Sequence, residues 1–138
     1  MSLTPIQNIR EELLQGRSVL LLDEAGDGGV GYVHMPAAKL TPEQVNFMLR
    51  HARGVLYLVL EASRMQELGF DVNVGANPLP GRAPVGAPIG ANSGLGLEVS
   101  AAGRAHTIRT AARDDAESRD FVSPGNMLPI QASDGGVL

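Results

Sequence analysis

Residues 20–36, LLLDEAGDGGVGYVHMP, hold a G-x-G-x-x-G spacing at Gly26, Gly28 and Gly31. Glycines so spaced bring backbone N–H groups against a nucleotide phosphate when a strand precedes them and a helix N-terminus comes after. A strand candidate does precede them. Gly31, however, leads into Tyr32-Val33-His34-Met35-Pro36, too short for a helix before the proline and opening on two strand-favouring residues. No acidic ribose ligand comes at the expected distance, and no Lys-Ser/Thr pair succeeds the last glycine. The stretch therefore reads as a flexible strand-to-strand connection. Other reactive residue types are sparse. The chain has no Cys, which removes thiolate nucleophiles, thiolate metal sites and disulfides. Its three His, His34, His51 and His106, make no metal-ligand spacing. Ser, His and Asp are all present, but no G-x-S-x-G elbow is.

The elements that must position any site emerge from period and punctuation. Residues 4–15 read as a helix, with Thr4 as N-cap, Pro5 at N1 and Gln7 closing a capping box. Ile6, Ile9, Leu13 and Leu14 supply its apolar stripe, and Gly16 suits the C′ position. Residues 18–23, SVLLLD, form an apolar run expected to be a strand buried on both faces. GYVHM is a second strand, with Tyr32 and His34 on one face. Thr41, Pro42 and Gln44 open a second helix, with Val45, Met48 and Leu49 toward the core and Gly54 as its stop. His51 sits late in that helix, where a cation suits the macrodipole. VLYLVLE is the clearest strand, and residues 63–68 a short helix with a Ser63–Gln66 box and Gly69 at its end. The Gly/Pro-rich residues 74–94 read as a loop, with a weak strand at 85–91. GLGLEVS is a strand candidate, and residues 101–113 a helix with Ile108 and Ala112 inward. DDAESRD reads as a solvated turn, and residues 121–130 and the tail as loop and short extended pieces. The alternation predicts a single α/β (α+β) domain over residues 1–138, a mixed sheet with flanking helices.

Composition narrows the function classes. A net charge of −4 argues against nucleic acid or an anionic membrane surface as partner. No apolar run approaches a bilayer span, and Glu11 and Glu12 fall where a signal peptide needs its apolar stretch. A cytoplasmic protein is the expectation.

Four stretches together resemble one family, the 3,4-dihydroxy-2-butanone 4-phosphate synthases of riboflavin biosynthesis. They are IREELLQGRSVLLLDE, LTPEQVNFMLRHARGVLYLVL, SAAGRAHTIRTAA and DFVSPGNMLPIQASDGGVL, in the family's order and nearly its spacing. The resemblance implies that family's fold. It also implies conversion of ribulose 5-phosphate to the butanone phosphate and formate, with Mg²⁺ held by an acidic loop, in a homodimer with sites at the subunit interface.

Several positions depart from the family's pattern. Its acidic loop, near D-D-E-D-R-E-N-E-G-D, falls on residues 23–32, where Asp23 and Gly31 match and Glu24 is a conservative replacement. Its Arg falls on Asp27, its metal-binding Glu on Gly28, its next Glu on Val30 and its final Asp on Tyr32. A core-strand Cys becomes Tyr57, the His of P-G-H-V-x-P becomes Asn126, and a T-G pair becomes Leu97-Glu98. The Asp of D-R-A-x-T becomes Gly103, with Arg104 and Thr107 retained. The sequence ends at Leu138, where the family continues into R-x-G-H-T-E with a second metal ligand. Mg²⁺ needs oxygen ligands, and Gly28 and Val30 offer no carboxylate.

The expectation from these departures is a shortened, repurposed enzyme that does not make the butanone phosphate. It would be a metal-independent lyase, isomerase or cyclase, with no cofactor, acting on a small and possibly anionic metabolite. The pocket implied by the family's fold would present Asp23, Glu24, Asp27 and His106 as catalytic groups, an acid–base set that works without metal. Tyr32, Arg104, Thr107 and Asn126 would bind substrate. The plain alternatives are surface carboxylates, a solvent-facing His106 and a helix-surface or cap contact for Arg104. A non-catalytic binding homologue and one half of a split protein are the competing functions. A homodimer is expected, and a monomeric mass at micromolar concentration counts against it.

Overall fold

The computed structural model describes residues 4–23, 29–53, 55–70, 85–93 and 99–132. Its helices are α1 (Ile6–Leu14), α2 (Pro42–Phe47), α3 (Ala62–Glu67) and α4 (Ala101–Ala111). Its strands are β1 (Val19–Asp23), β2 (Val30–His34), β3 (Tyr57–Leu60), β4 (Ile89–Ala91) and β5 (Phe121–Gln131). None of these helices is long and apolar enough to cross a membrane.

α1 ends as its sequence predicts. Gly16 takes φ +81°, Gly16 N–H donates to Leu13 O and Arg17 N–H to Glu12 O, the paired bonds of a Schellman motif. Its start differs. Pro5 is the N-cap, and the Thr4–Gln7 box does not form. No residue of α1 is fully buried; Ile9 and Leu13 of the predicted stripe are half-buried while Ile6 and Leu14 are largely exposed, so packing does not fix the first turn. The helix is instead held at its C-terminal end. Lys39 Nζ donates to Leu14 O, and Gln44 Nε2 donates to Gly16 O at 2.9 Å.

β1 and β2 form an antiparallel two-stranded sheet with Leu22 opposite Gly31 and Asp23 opposite Val30. The strand-to-strand reading of the glycine stretch holds, since β2 lies where a phosphate-binding helix would have to begin. Gly26, Gly28, Glu24 and Asp27 lie outside the described residues. The expectation that SVLLLD is buried on both faces fails: Leu20 is 58% and Leu22 47% exposed. A two-stranded ribbon has two faces, and no described layer covers this one.

The main sheet is mixed, in the order β3-β5-β4, with β3 parallel and β4 antiparallel to β5. Its central strand is the segment expected to be loop and short extended pieces. Pro124, Gly125 and Pro129 make it read so. Pro129 is tolerated because a residue's N and C=O point to the same side of a strand. Its carbonyl accepts from Gly86 N–H at 2.9 Å, so its missing donor faces the side paired only by the isolated Val85–Ile130 bridge. Within the expected weak strand at 85–91, only Ile89–Ala91 is a ladder strand. Residues 94–98 of the GLGLEVS candidate lie outside the described residues, and Ser100 is the N-cap of α4.

Local helix signals succeed where packing supports them. Thr41 and Gln44 form the full capping box, with Val45 and Met48 buried behind it. Leu49, expected inward, is 37% exposed, because residues 48–52 continue as a π turn that rotates the stripe. Arg53 ends that turn at φ +51°. The Ser63–Gln66 box is absent: α3 begins at Ala62 with Glu61 as N-cap, which places Ser63 inside the first turn. The expected DDAESRD surface turn buries Ala116, and Ser118–Asp120 is a single 3₁₀ turn.

The core lies between the sheet and the helices. Leu58, Ile89 and Met127 of the sheet meet Leu40, Val45 and Met48 around α2 and Ala105, Ile108 and Ala111 of α4. Met65, Leu68 and Phe70 complete it, with Phe70 edge-on to Phe121 at 4.9 Å. Two arginines fix α4 further: Arg109 donates to Leu40 O at 2.7 Å, and Arg64 donates to Ala111 O and Arg113 O at the helix C-terminus.

Candidate functional site

The site begins with a break in a ladder. β4 and β5 pair Ile89 with Met127, but Gly90 with Val122 and Ala91 with Phe121. Residues 123–126 therefore stand out of the ladder as an excursion from β5. Gly125 lies so close to β4 that an added Cβ would overlap the carbonyl carbon of Ile89 and the nitrogen of Gly90. Ser123 Oγ donates to Pro88 O at 3.0 Å, and the Ser123–Pro124 peptide is cis.

Between this excursion, β4 and α4 lies a shallow cleft that opens to solvent. His106 and Thr107 line it from α4, Ser93 from beyond β4, and residues 124–126 from the excursion. α4 reaches this position with its first turn capped by Ser100, whose Oγ accepts from Gly103 N–H at 3.0 Å. His106 is on the exposed side of the helix and, among the described residues, is the only titratable one lining the cleft. Asn126 is half-buried, with its Oδ1 fully so.

Thr107 is almost wholly buried, and its hydroxyl already serves the frame. Oγ1 donates to Gly103 O and accepts from Ala91 N–H, both at 3.0 Å, so it pins β4 to α4 at the cleft floor. Thr107→Val keeps the shape and leaves the Ala91 N–H without this acceptor. A loss of about 1–3 kcal/mol is expected in urea unfolding, with Thr107→Ser closer to the parent. Equal stability for Thr107→Val and parent would remove that role.

The structure thus brings His106, Thr107 and Asn126 together, and of the other described candidates it places Asp23, Tyr32 and Arg104 away from the cleft. Arg104 Nε donates to Val99 O at 3.2 Å, the cap contact that is its plain alternative. Asp23 and Tyr32 belong to the β1–β2 ribbon and do not line the cleft, while Glu24 and Asp27 fall outside the described residues. His34 shares the face of Tyr32 in the ribbon, and burial pushes its imidazole below the ordinary His range. His51, in the π turn, packs in a tilted arrangement against Phe47 at the end of α2, ring centroids 4.9 Å apart. Sequence reasoning misses Ser93 and residues 123–125. The one signal for residues 123–125 is a Ser-Pro-Gly-Asn turn set inside an otherwise apolar run, and Ser93 has none.

Among the described residues no three His, Asp or Glu side chains come together as a metal site. Asp23 is the one described acid of the acidic stretch, and Mg²⁺ asks for near-octahedral oxygen coordination. The described donors therefore do not by themselves make a site for the ion.

Comparison with known proteins places this cleft in context. The family model described as 3,4-dihydroxy-2-butanone 4-phosphate synthase matches residues 7–138. A curated synthase of that name from Photobacterium phosphoreum is 35% identical over 138 residues, all of this chain and 38% of its own length. The crystal structure of a two-domain synthase from A. baumannii superposes with a TM-score of 0.84 at 31% identity, covering 96% of this chain and 39% of that one. A synthase structure in complex with two magnesium ions gives 0.85 at 27% identity, covering 98% of this chain and 63% of that one. The mixed-sheet fold expected from the resemblance is the fold found. These matches overturn the expectation of a repurposed, metal-independent enzyme unable to make the butanone phosphate. Relatives similar over the whole of this chain carry the synthase name, and nothing in the comparisons marks the chain as diverged. The chain belongs to the 3,4-dihydroxy-2-butanone 4-phosphate synthase family.

Proposed function

We propose that the chain acts in the family's reaction, on ribulose 5-phosphate, with the cleft between α4, β4 and the β5 excursion receiving the substrate. One observation carries the reading. Thr107, at the threonine of the family's D-R-A-x-T, and Asn126, at the His of its P-G-H-V-x-P, converge on that cleft with His106, at the variable position of the first motif, from a helix and a strand joined by one short connection. The 35% identity to the Photobacterium phosphoreum synthase over all 138 residues supports the same substrate class.

The reaction implied by the resemblance moves protons during enolisation and skeletal rearrangement. His106 is the residue lining the cleft that can take up and return one, at a ring nitrogen. The Asn126 carboxamide both donates and accepts, which suits a substrate hydroxyl or carbonyl. Thr107 holds α4 and β4 in place beneath them. Mg²⁺ supplies Lewis-acid polarisation of substrate oxygens in this chemistry.

The test is direct. Purified protein is incubated with ribulose 5-phosphate and Mg²⁺, and formate is measured through a coupled formate dehydrogenase. Formate equal to the substrate consumed is the expected result; no formate above the protein-free control overturns the reading.

A further inference from the structure

An excursion from a strand is only as well placed as the ties at its base. Two ties of residues 123–126 land on one short piece of β4 and its approach. The first is steric: the backbone of Gly125 presses on Ile89 and Gly90. The second is polar: Ser123 Oγ donates to the Pro88 carbonyl at 3.0 Å. Close by, Ala91 N–H donates to Thr107 Oγ1 of α4. Residues 88–91 therefore connect the helix that carries His106 to the excursion that carries Asn126. The steric tie only prevents closer approach. Ser123 supplies a directed attraction that keeps the excursion from lifting away, although Ser123 itself is exposed and does not line the cleft.

We propose that Ser123 is a positioning residue, holding residues 124–126 against β4 so that Asn126 and His106 face the same ligand. The proposal rests on the reading of the cleft as the substrate site. It predicts that loss of the hydroxyl loosens ligand binding more than it slows chemistry, because His106 is carried by a different element.

The test uses the full chain with Ser123→Ala and Ser123→Thr, read in two ways. In Ser123→Ala, amide hydrogen exchange at Gly125 and Asn126 should quicken about fivefold while Ile108 and Ala111 are unchanged, the loss of one ordinary hydrogen bond. KM for ribulose 5-phosphate should rise about fivefold with kcat within about twofold, and Ser123→Thr should restore both readouts. Unchanged exchange in Ser123→Ala, or a fall in kcat at constant KM, overturns the proposal. Should the parent chain release no formate, the substrate assignment fails and the exchange readout alone decides: quickening reversed by Thr upholds the positioning role, and its absence sinks it.

Discussion

Replacing Gly125 by Ala is expected to lower the thermal midpoint by about 10 °C or more and to destroy the cleft. A methyl there overlaps the main chain of Ile89 and Gly90, and main chain in a ladder cannot swing aside as a flexible side chain can. Relief requires separating the excursion from β4. That breaks the Ser123–Pro88 bond and shifts the strand that Thr107 pins to α4. The cost is expected at about 3 kcal/mol or more, a large share of a small domain's stability of about 5–15 kcal/mol. Gly90→Ala is the control. Its added Cβ meets Gly125 Cα at 3.5 Å, ordinary van der Waals contact, so its midpoint should stay within a few degrees of the parent. Differential scanning calorimetry of the two variants decides the matter, and equal midpoints would show that β4 and the excursion have room to part at little cost.

His106→Gln is expected to reduce kcat for formate release by about 100-fold, at the lower end of what a positioned acid–base group contributes. Gln keeps a polar side chain of similar length and removes proton exchange. A lost hydrogen bond to substrate would instead appear in KM. His51→Gln provides the comparison: that ring packs tilted against Phe47 away from the cleft, and its loss should leave kcat within about twofold. Full activity in His106→Gln would remove the proton-transfer role and leave His106 as a wall of the cleft.

The two capping boxes that fail and the one that forms show what a single sequence carries. Thr41–Gln44 sits in front of the buried Val45 and Met48, so tertiary packing holds the helix start where the side chains can reach. Thr4–Gln7 opens a helix with no buried residue, and Ser63 lies one residue inside α3. Local hydrogen-bonding potential is legible in all three, but the packing that selects among them is not. The site divides in the same way. His106 and Thr107 lie on one helix within a recognisable motif, so the sequence presents them together. Their meeting with residues 123–126 depends on a jump in register between Ile89 and Gly90, and periodicity within either strand carries no trace of it. Pro124, Gly125 and Pro129 also disguise the central strand, since each reads locally as a break. The departures from the family's acidic loop are legible too, but their functional weight is not. They fall largely on residues outside those described, and similarity over the whole chain outweighs them.

The central position of β5 also dictates an order of assembly. β3 is complete at Leu60, yet Tyr57 can pair only when Leu128 has been synthesised and has left the ribosome. Until then β3 and β4 have no common partner, and the apolar faces of α2 and α4 have no finished sheet to close upon. Such long-range pairing pays its loop-closure entropy before the contacts that reward it, which slows folding and lengthens the time a nascent chain exposes its core. The same strand that carries Asn126 to the cleft thus acts as the keystone of folding, and it is synthesised after both strands it joins.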